Sequence, residues 1–272
     1  MSVFSRSNLQ IRVASTVVSL PLLLSVLWLG GNWIAGVAAA ASIIGCAELL
    51  LLQRKAGWRP LIIQGSLCGG FTTGLAAIDG NMIVLAAATG AVALAVVAGV
   101  SRRSSEAIGD WTLTAVGVAY VSLSLALLVL LRLGPNGLQW VILAFLATFA
   151  TDTAAYFTGR LIGRHKMAPS VSPGKTWEGA VGGFLGAVGA TVSLVHLFAG
   201  LPTNLALAVT LGAIIGIASQ LGDLGESKLK RLADAKDSGR LIPGHGGLLD
   251  RLDSLLPVFP LVYYASLNWP SS

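Results

Sequence analysis

Residues 204–222, NLALAVTLGAIIGIASQLG, form an apolar run without a charged side chain, and residues 223–231, DLGESKLKR, follow with five charged ones. An apolar stretch of about 20 residues is what a helix needs to cross roughly 30 Å of hydrocarbon. The charged residues that follow must reach water or lipid head groups, because a charge within the hydrocarbon is costly. This junction predicts a transmembrane helix with polar side chains at one end.

The composition of the whole chain is that of a membrane protein. Of its 272 residues, 54% are hydrophobic and 11% are charged, and the mean hydropathy is +0.78. Soluble domains carry about 25% charged residues, which excludes that class. We expect an all-α, polytopic integral membrane protein: one domain, 1–272, with apolar spans in 1–135 and polar loops 159–177 and 223–251 in the half 136–272. About nine spans are predicted, near 13–30, 33–52, 60–78, 82–100, 112–131, 138–158, 178–199, 204–222 and 252–268.

The first span resembles a signal peptide in one respect, because Arg6 and Arg12 precede it and small residues follow at 38–41. Its apolar run of about 18 residues is longer than a usual signal core. We therefore expect an uncleaved membrane anchor.

Lysine and arginine residues predict the orientation in the membrane. With nine spans, 17 of the 18 basic residues fall on one side and Arg132 alone on the other. The positive-inside rule makes the basic side cytoplasmic. The net charge of +6 then reflects topology and anionic lipid, and nucleic acid is not an expected partner. The basic side holds Arg6, Arg12, Arg54, Lys55, Arg59, Arg102, Arg103, Arg160, Arg164, Lys166, Lys175, Lys228, Lys230, Arg231, Lys236, Arg240 and Arg251.

Polar residues at the end of the eighth span share one helical face. At 100° per residue, five side chains fall within an arc of about 100°. Carboxylate, hydroxyl and ammonium groups together suit a metal ion and a phosphate, although a solvated end of an amphipathic helix would look the same. The stripe consists of Ser219, Asp223, Glu226, Ser227 and Lys230.

The following loop is rich in glycine and ends in two carboxylates. Glycines within 243–247 let backbone N–H groups approach an anion, although a plain turn is an equal alternative. Asp250 and Asp253 are three residues apart, so a helix would present both together. Carboxylate oxygens of this kind suit Mg²⁺, which binds one or two carboxylates plus substrate phosphates.

A second group of polar residues lies upstream. Asp152 falls inside the sixth span, where an ionisable residue indicates function. Thr176 is expected to cap the seventh span, and Lys175 beside that helix start predicts an anion site, unless the loop simply rests on anionic lipid. Glu48 in the second span is either interfacial or hydrogen-bonded in the interior. Five glycines in the seventh span, from Gly179 to Gly189, predict close helix packing.

Three segments resemble the phosphatidate cytidylyltransferase family: SPGKTWEG at 172–179, Asp152 with its following Tyr156 and Gly159-Arg160, and the long stretch 227–253. The last includes SKLKR, KDSG and IPGHGGLLDRLD, and it matches the family pattern without a departure. The resemblance covers about residues 150–255. It implies transfer of a cytidylyl group from CTP to phosphatidic acid with Mg²⁺, in a helical and commonly dimeric protein whose site faces the cytoplasm.

The residues assigned to this chemistry follow from the resemblance and the patterns above. Metal ligands are expected at Asp223 and Asp250, with Asp253 and Asp152 as lesser candidates, and a second cation is a further option. The expected catalytic residues are Asp223, Asp250, Lys230, Ser227 and His245. Substrate binding is expected at Lys175, Ser172, Arg231, Lys236, Asp237, Arg240, Gly246, Gly247 and Arg251.

Two alternatives remain at this stage. One is another membrane enzyme that uses CTP, such as a polyprenol kinase or a cytidylyltransferase for a different lipid phosphate. The other is a transporter, although the chain shows no repeated halves with polar groups at mid-bilayer. A multi-pass protein of a bacterial-type inner membrane, acting on membrane lipid, fits the first class.

Overall fold

The computed structural model describes residues 17, 21–78, 90, 105–239, 241 and 246–269. It is almost entirely helical, as expected. The elements in chain order are α1 (Gly31–Lys55), α2 (Ile62–Leu75), α3 (Ser105–Leu133), α4 (Gly137–Leu161), β1 (Lys166–Ala168), β2 (Ser172–Thr176), α5 (Trp177–Leu197), α6 (Leu205–Leu232), α7 (Leu249–Leu252) and α8 (Val258–Asn268).

Five helices in the described part of the chain are long and apolar enough to cross a membrane, which supports a multi-pass membrane protein. They are Gly31–Lys55, Thr112–Leu133, Gly137–Leu161, Trp177–Leu197 and Leu205–Leu232. Large apolar side chains such as Leu185 and Leu221 are exposed on their surfaces, as a lipid solvent requires.

The count of nine spans is not confirmed. The predicted spans at 60–78 and 252–268 appear as α2 and α8, with 14 and 11 residues. At 1.5 Å per residue both are shorter than roughly 30 Å of hydrocarbon. The predicted span at 82–100 and part of that at 13–30 lie outside the described residues.

The chain divides into two compact units that cut across the predicted halves. The first contains Met1–Val129 and Leu232–Leu252, and the second contains Leu130–Arg231 and Asp253–Ser272. The loop after α6 therefore belongs with the N-terminal helices. In that unit α1 and α2 pack closely, because Gly69 lets Cys46 approach its backbone.

The second unit is organised around α4 and α5, which are in close contact. Side chains added at Gly179, Gly183 and Gly186 would lie 2.6–2.9 Å from atoms of α4. Glycine is therefore required for this approach, and the expected packing role is confirmed at these positions. Gly189 has nothing within 4 Å of an added Cβ, so the pattern ends before it.

A short antiparallel hairpin, β1–β2, interrupts the all-α pattern inside the loop 159–177. Lys166 pairs with Thr176 and Ala168 with Ser172. Its strands have three and five residues, and Pro173-Gly174 in β2 gives no strand signal. The sequence therefore could not predict this hairpin, which leads directly into α5.

The helix packing makes a first prediction. Gly183→Ala places a methyl group 2.9 Å from the carbonyl oxygen of Thr151, so the two helices must separate. We expect the free energy of unfolding to fall by about 1–3 kcal/mol. Gly189→Ala is the matched control, and it should leave stability unchanged or slightly higher, because alanine favours helix over glycine. Thermal unfolding in detergent measures both, and equal stability of the two variants would contradict close packing at Gly183.

A second prediction concerns orientation across the membrane. Thr203 and Lys228 are exposed and lie near opposite ends of α6. In a Cys46→Ala/Cys68→Ala background, an impermeant thiol reagent should label Thr203→Cys in intact cells. The same reagent should label Lys228→Cys only after the cytoplasmic face is opened. Labelling of Lys228→Cys from outside would reverse the orientation given by the basic residues.

Candidate active site

The polar stripe at the end of α6 is continuous with the membrane-spanning part of that helix. The helix has 28 residues, about 42 Å at 1.5 Å each, so it extends roughly 12 Å beyond the hydrocarbon. Its last turns, from about Asp223 onward, therefore reach the interface.

Asp223 is held by partners on both of its oxygens. Lys175 Nζ lies 2.8 Å from Asp223 Oδ2, and Ser227 Oγ donates a hydrogen bond to Asp223 Oδ1 at 3.3 Å. The ion pair joins the end of β2 to α6. The structure thus brings together Lys175, Asp223 and Ser227, which the sequence assigned to the site from two separate segments.

A second ion pair lies one turn further along α6. Lys230 Nζ is 3.0 Å from Glu226 Oε1, and both side chains are largely buried, with 13% and 6% of their surface exposed. Sequence analysis placed Glu226 in the stripe but gave it no role. In the structure it neutralises Lys230 and fixes the direction of that ammonium group.

The hairpin is anchored at both ends. Thr176 caps α5 as predicted, because its hydroxyl accepts a hydrogen bond from Gly179 N at 3.1 Å. Glu178 accepts hydrogen bonds from the backbone N–H groups of Arg164 and His165 just before β1. Arg231 Nε donates to Val171 O at 3.1 Å. Lys175 is consequently presented from a fixed backbone rather than from a mobile loop.

A cleft of about 550 Å³ opens beside this ion pair in the second unit. Its lining combines carboxylates with basic and hydroxyl groups, a mixture that suits a phosphorylated ligand together with a cation. Apolar atoms line the remainder. The polar lining includes Asp152, Tyr156, Arg160, Ser172, Lys175 and Asp223.

Asp253 adds a third carboxyl group to the electrostatics of this unit. The backbone of α6 passes close to it, since a Cβ added at Gly222 would lie 2.7 Å from Pro257 Cγ and closer still to Asp253 O. Burial raises the pKa of the Asp253 carboxyl to about 7, and the negative charge of Asp223 raises it further. Asp253 therefore lacks enough positive charge around it to stay ionised easily.

The donor set fits Mg²⁺ in a specific sense. Among the residues that the structure describes, no three His, Cys, Asp or Glu side chains form a ready cage for a metal ion. Mg²⁺ rarely uses such a cage and instead binds one or two carboxylates, waters and substrate phosphates. Asp152, Asp223 and Asp253 supply carboxylates only, and the raised pKa of Asp253 shows that added positive charge would be favourable there.

In the first unit, Asp250 organises the glycine-rich loop. Its Oδ2 accepts hydrogen bonds from Ser238 N at 2.9 Å, Ser238 Oγ at 2.9 Å and Gly247 N at 2.8 Å. Asp250 lies in the four-residue helix α7, and Asp253 follows the end of that helix. The expected single helix carrying both carboxylates is therefore only partly formed.

Glu48 holds the same loop from α1. Its carboxylate accepts hydrogen bonds from Leu248 N at 3.1 Å and Leu249 N at 2.7 Å, and Ser238 Oγ lies 3.2 Å from Oε2. The interior, hydrogen-bonded alternative for Glu48 is thereby confirmed. The backbone N–H groups expected to bind a substrate anion already have carboxylate partners at Gly247, Leu248 and Leu249.

The predicted site residues are thus distributed over both units. Lys236, Asp237 and Arg251 are exposed, and Gly246 has a φ of 83°, which favours glycine. Arg240 and His245 lie outside the described residues, so their roles stay predictions. The second unit holds Asp152, Ser172, Lys175, Asp223, Ser227, Lys230, Arg231 and Asp253, and the first holds Lys236, Asp237, Gly246, Gly247, Asp250 and Arg251.

Comparison with known proteins agrees with this arrangement. A model of the cytidylyltransferase family matches residues 10–268. The phosphatidate cytidylyltransferase of Brucella suis is 37% identical over 269 residues, covering 94% of this chain and 93% of its own. That of Staphylococcus epidermidis is 32% identical over 265 residues, covering 93% and 97%. Because the family match and both alignments extend over nearly the whole chain, the protein belongs to the cytidylyltransferase family.

Proposed function

We propose that this chain transfers the cytidylyl group of CTP to phosphatidic acid, giving CDP-diacylglycerol and pyrophosphate. The observation that carries the proposal is the family match over residues 10–268, together with relatives named phosphatidate cytidylyltransferase. Those names favour phosphatidate over other lipid phosphates, and they favour an enzyme over a transporter. The reaction would take place in a bacterial-type inner membrane, with the site facing the cytoplasm.

The chemistry needs little acid–base help from the protein. An oxygen of the phosphatidate phosphate attacks the α-phosphorus of CTP, and the bond from that phosphorus to the bridging oxygen of the β-phosphate breaks. A phosphate monoester has a second pKa near 6, so the nucleophile is largely ionised at neutral pH. The main difficulty is to bring two polyanions together, which requires positioning and charge neutralisation.

The cleft in the second unit meets that requirement with groups of known placement. Lys175 and Arg160 line it and would attract phosphate, while Tyr156 OH accepts a hydrogen bond from Arg160 and restrains that guanidinium. Lys175 is already directed by Asp223, so a phosphate beside it would find its positive charge in place.

Mg²⁺ is the cofactor that we propose, and it would supply positive charge to the phosphates of CTP. Asp223, Asp253 and Asp152 would hold it in the second unit, for the reasons given by their donor chemistry. The assignment of Asp250 to the same metal centre stays a prediction from the sequence, as do the second cation and the homodimer.

Asp223 is the residue whose change tests this assignment most directly. Asp223→Asn keeps the size of the side chain but removes its charge, so folding should change little. We expect formation of CDP-diacylglycerol from CTP, phosphatidate and Mg²⁺ to fall by about a hundredfold or more, as when an electrostatic group is removed from an active site. The measurement is lipid product and pyrophosphate formed across a Mg²⁺ titration.

Asp234→Asn is the control for that experiment. Asp234 is exposed on the loop after α6 and has a φ of 46°, a conformation that asparagine also adopts readily. Turnover should stay near that of the unmodified protein. If Asp223→Asn retains most activity at every Mg²⁺ concentration, the cation assignment is wrong, and absence of product with the unmodified protein would overturn the proposed reaction.

The raised pKa of Asp253 predicts a pH dependence of stability. Between pH of about 4 and about 7 the folded protein keeps a proton on Asp253 that the unfolded chain releases, so stability falls as pH rises through this range. Asp253→Asn cannot ionise and should lose less. In EDTA, the unfolding temperature of the unmodified protein should drop relative to Asp253→Asn between pH 4.5 and pH 8. Parallel curves for the two proteins would contradict the crowding of carboxylates.

A further inference from the structure

Glu48 is a charged group in an unusual position. It lies in α1, a helix long and apolar enough to span a membrane, and only 7% of its surface is exposed. A buried carboxylate is costly unless hydrogen bonds or positive charge compensate for the lost hydration. Its retention in such a helix calls for partners that make up for that cost.

The partners all come from the loop near the other end of the chain. Leu248 N and Leu249 N donate to Oε1 and Oε2 at 3.1 and 2.7 Å, and Ser238 Oγ lies 3.2 Å from Oε2. These donors are 190 to 201 residues away in the sequence. The carboxylate of Glu48 therefore closes a long-range contact between α1 and the segment 238–249.

The loop is shaped around this carboxylate. A Cβ added at Gly239 would come within 2.8 Å of Glu48 Cδ and closer to Oε1, and one added at Gly247 would lie 2.5 Å from Oε2. Both residues must therefore be glycine for Glu48 to fit. Two of the glycines that sequence analysis connected with a substrate anion are thus explained by an anion of the protein itself.

Ser238 connects Glu48 with Asp250. Its hydroxyl lies 2.9 Å from Asp250 Oδ2 and 3.2 Å from Glu48 Oε2, and it accepts a hydrogen bond from Asp250 N at 3.3 Å. A hydroxyl has one proton to donate, so it serves one carboxylate at a time. The position of Asp250 is therefore linked to that of Glu48 through a single buried side chain.

We propose that Glu48 is a positioning residue: it holds the segment 238–249 against α1 and thereby fixes the orientation of the Asp250 carboxylate. The effect on turnover rests on the proposed function, in which Asp250 takes part in nucleotide transfer. The anchoring of the loop does not, and it can be measured separately.

The test compares the protein with Glu48→Gln in detergent. The amide keeps the size of the side chain but presents an NH₂ group to the N–H groups of Leu248 and Leu249. Loss of hydrogen bonds to a charged acceptor should raise the open population of the loop by about tenfold or more. Trypsin cleavage after Lys236 and Arg240, read by mass spectrometry, should accelerate by the same factor, because cleavage follows the open population.

Turnover gives a second readout. For a positioning residue, kcat should fall about tenfold or more while KM for CTP and the global unfolding temperature change little. Glu48→Asp keeps the charge on a shorter arm and should recover part of the loss. Gln53→Met is the matched control, because Gln53 is also buried in α1 but donates to Leu113 O at 3.2 Å instead of the loop. Its loop cleavage and kcat should stay within about twofold of the unmodified protein.

Ser238→Ala keeps the test decisive if Glu48→Gln does not fold, because it leaves Glu48 with its two backbone donors and removes only the link to Asp250. We expect a fall in kcat with an unchanged KM for CTP. The proposal is overturned if both variants keep kcat within twofold, or if Glu48→Gln leaves loop cleavage unchanged. If the unmodified protein makes no CDP-diacylglycerol, the proposed function fails, while the cleavage experiment still decides whether Glu48 anchors the loop.

Discussion

The ion pair between Lys175 and Asp223 is the contact on which the second unit depends. It joins a hairpin to the end of a membrane helix at 2.8 Å, and it lies beside a cleft whose other polar groups would repel or scatter without it. Thr176, the next residue after Lys175, caps α5, so the same backbone sets the start of a helix and the position of the ammonium group. Charge and helix capping are thus combined within two consecutive residues.

A different solution operates in the first unit. There the carboxylates of Glu48 and Asp250 are satisfied by backbone N–H groups and one serine hydroxyl. Such bonds fix geometry closely, because donors on a folded backbone cannot rotate away as a lysine side chain can. The two units therefore hold their acidic groups in ways that respond differently to a charged ligand: one through an exchangeable cation, the other through a rigid loop.

Local patterns predicted the parts of this arrangement that depend on neighbours in sequence. The stripe from Ser219 to Lys230 follows from helical spacing, and the cap at Thr176 follows from its residue type before an apolar run. The environment of Glu48 could not be predicted, because its donors lie about 200 residues away and are mostly backbone atoms, which leave no trace in side-chain patterns. The hairpin escaped prediction for a related reason: its strands are too short to show alternation.

The length of α6 has a consequence for the lipid environment. Its apolar part, residues 205–222, is about 27 Å long at 1.5 Å per residue, slightly less than the average hydrocarbon thickness. A thicker bilayer would draw Asp223 towards acyl chains, and the membrane would have to thin locally to keep that carboxylate hydrated. Acyl-chain length in the surrounding lipid thus becomes a variable that acts on this end of the helix, so the protein is coupled mechanically to the composition of the membrane it occupies.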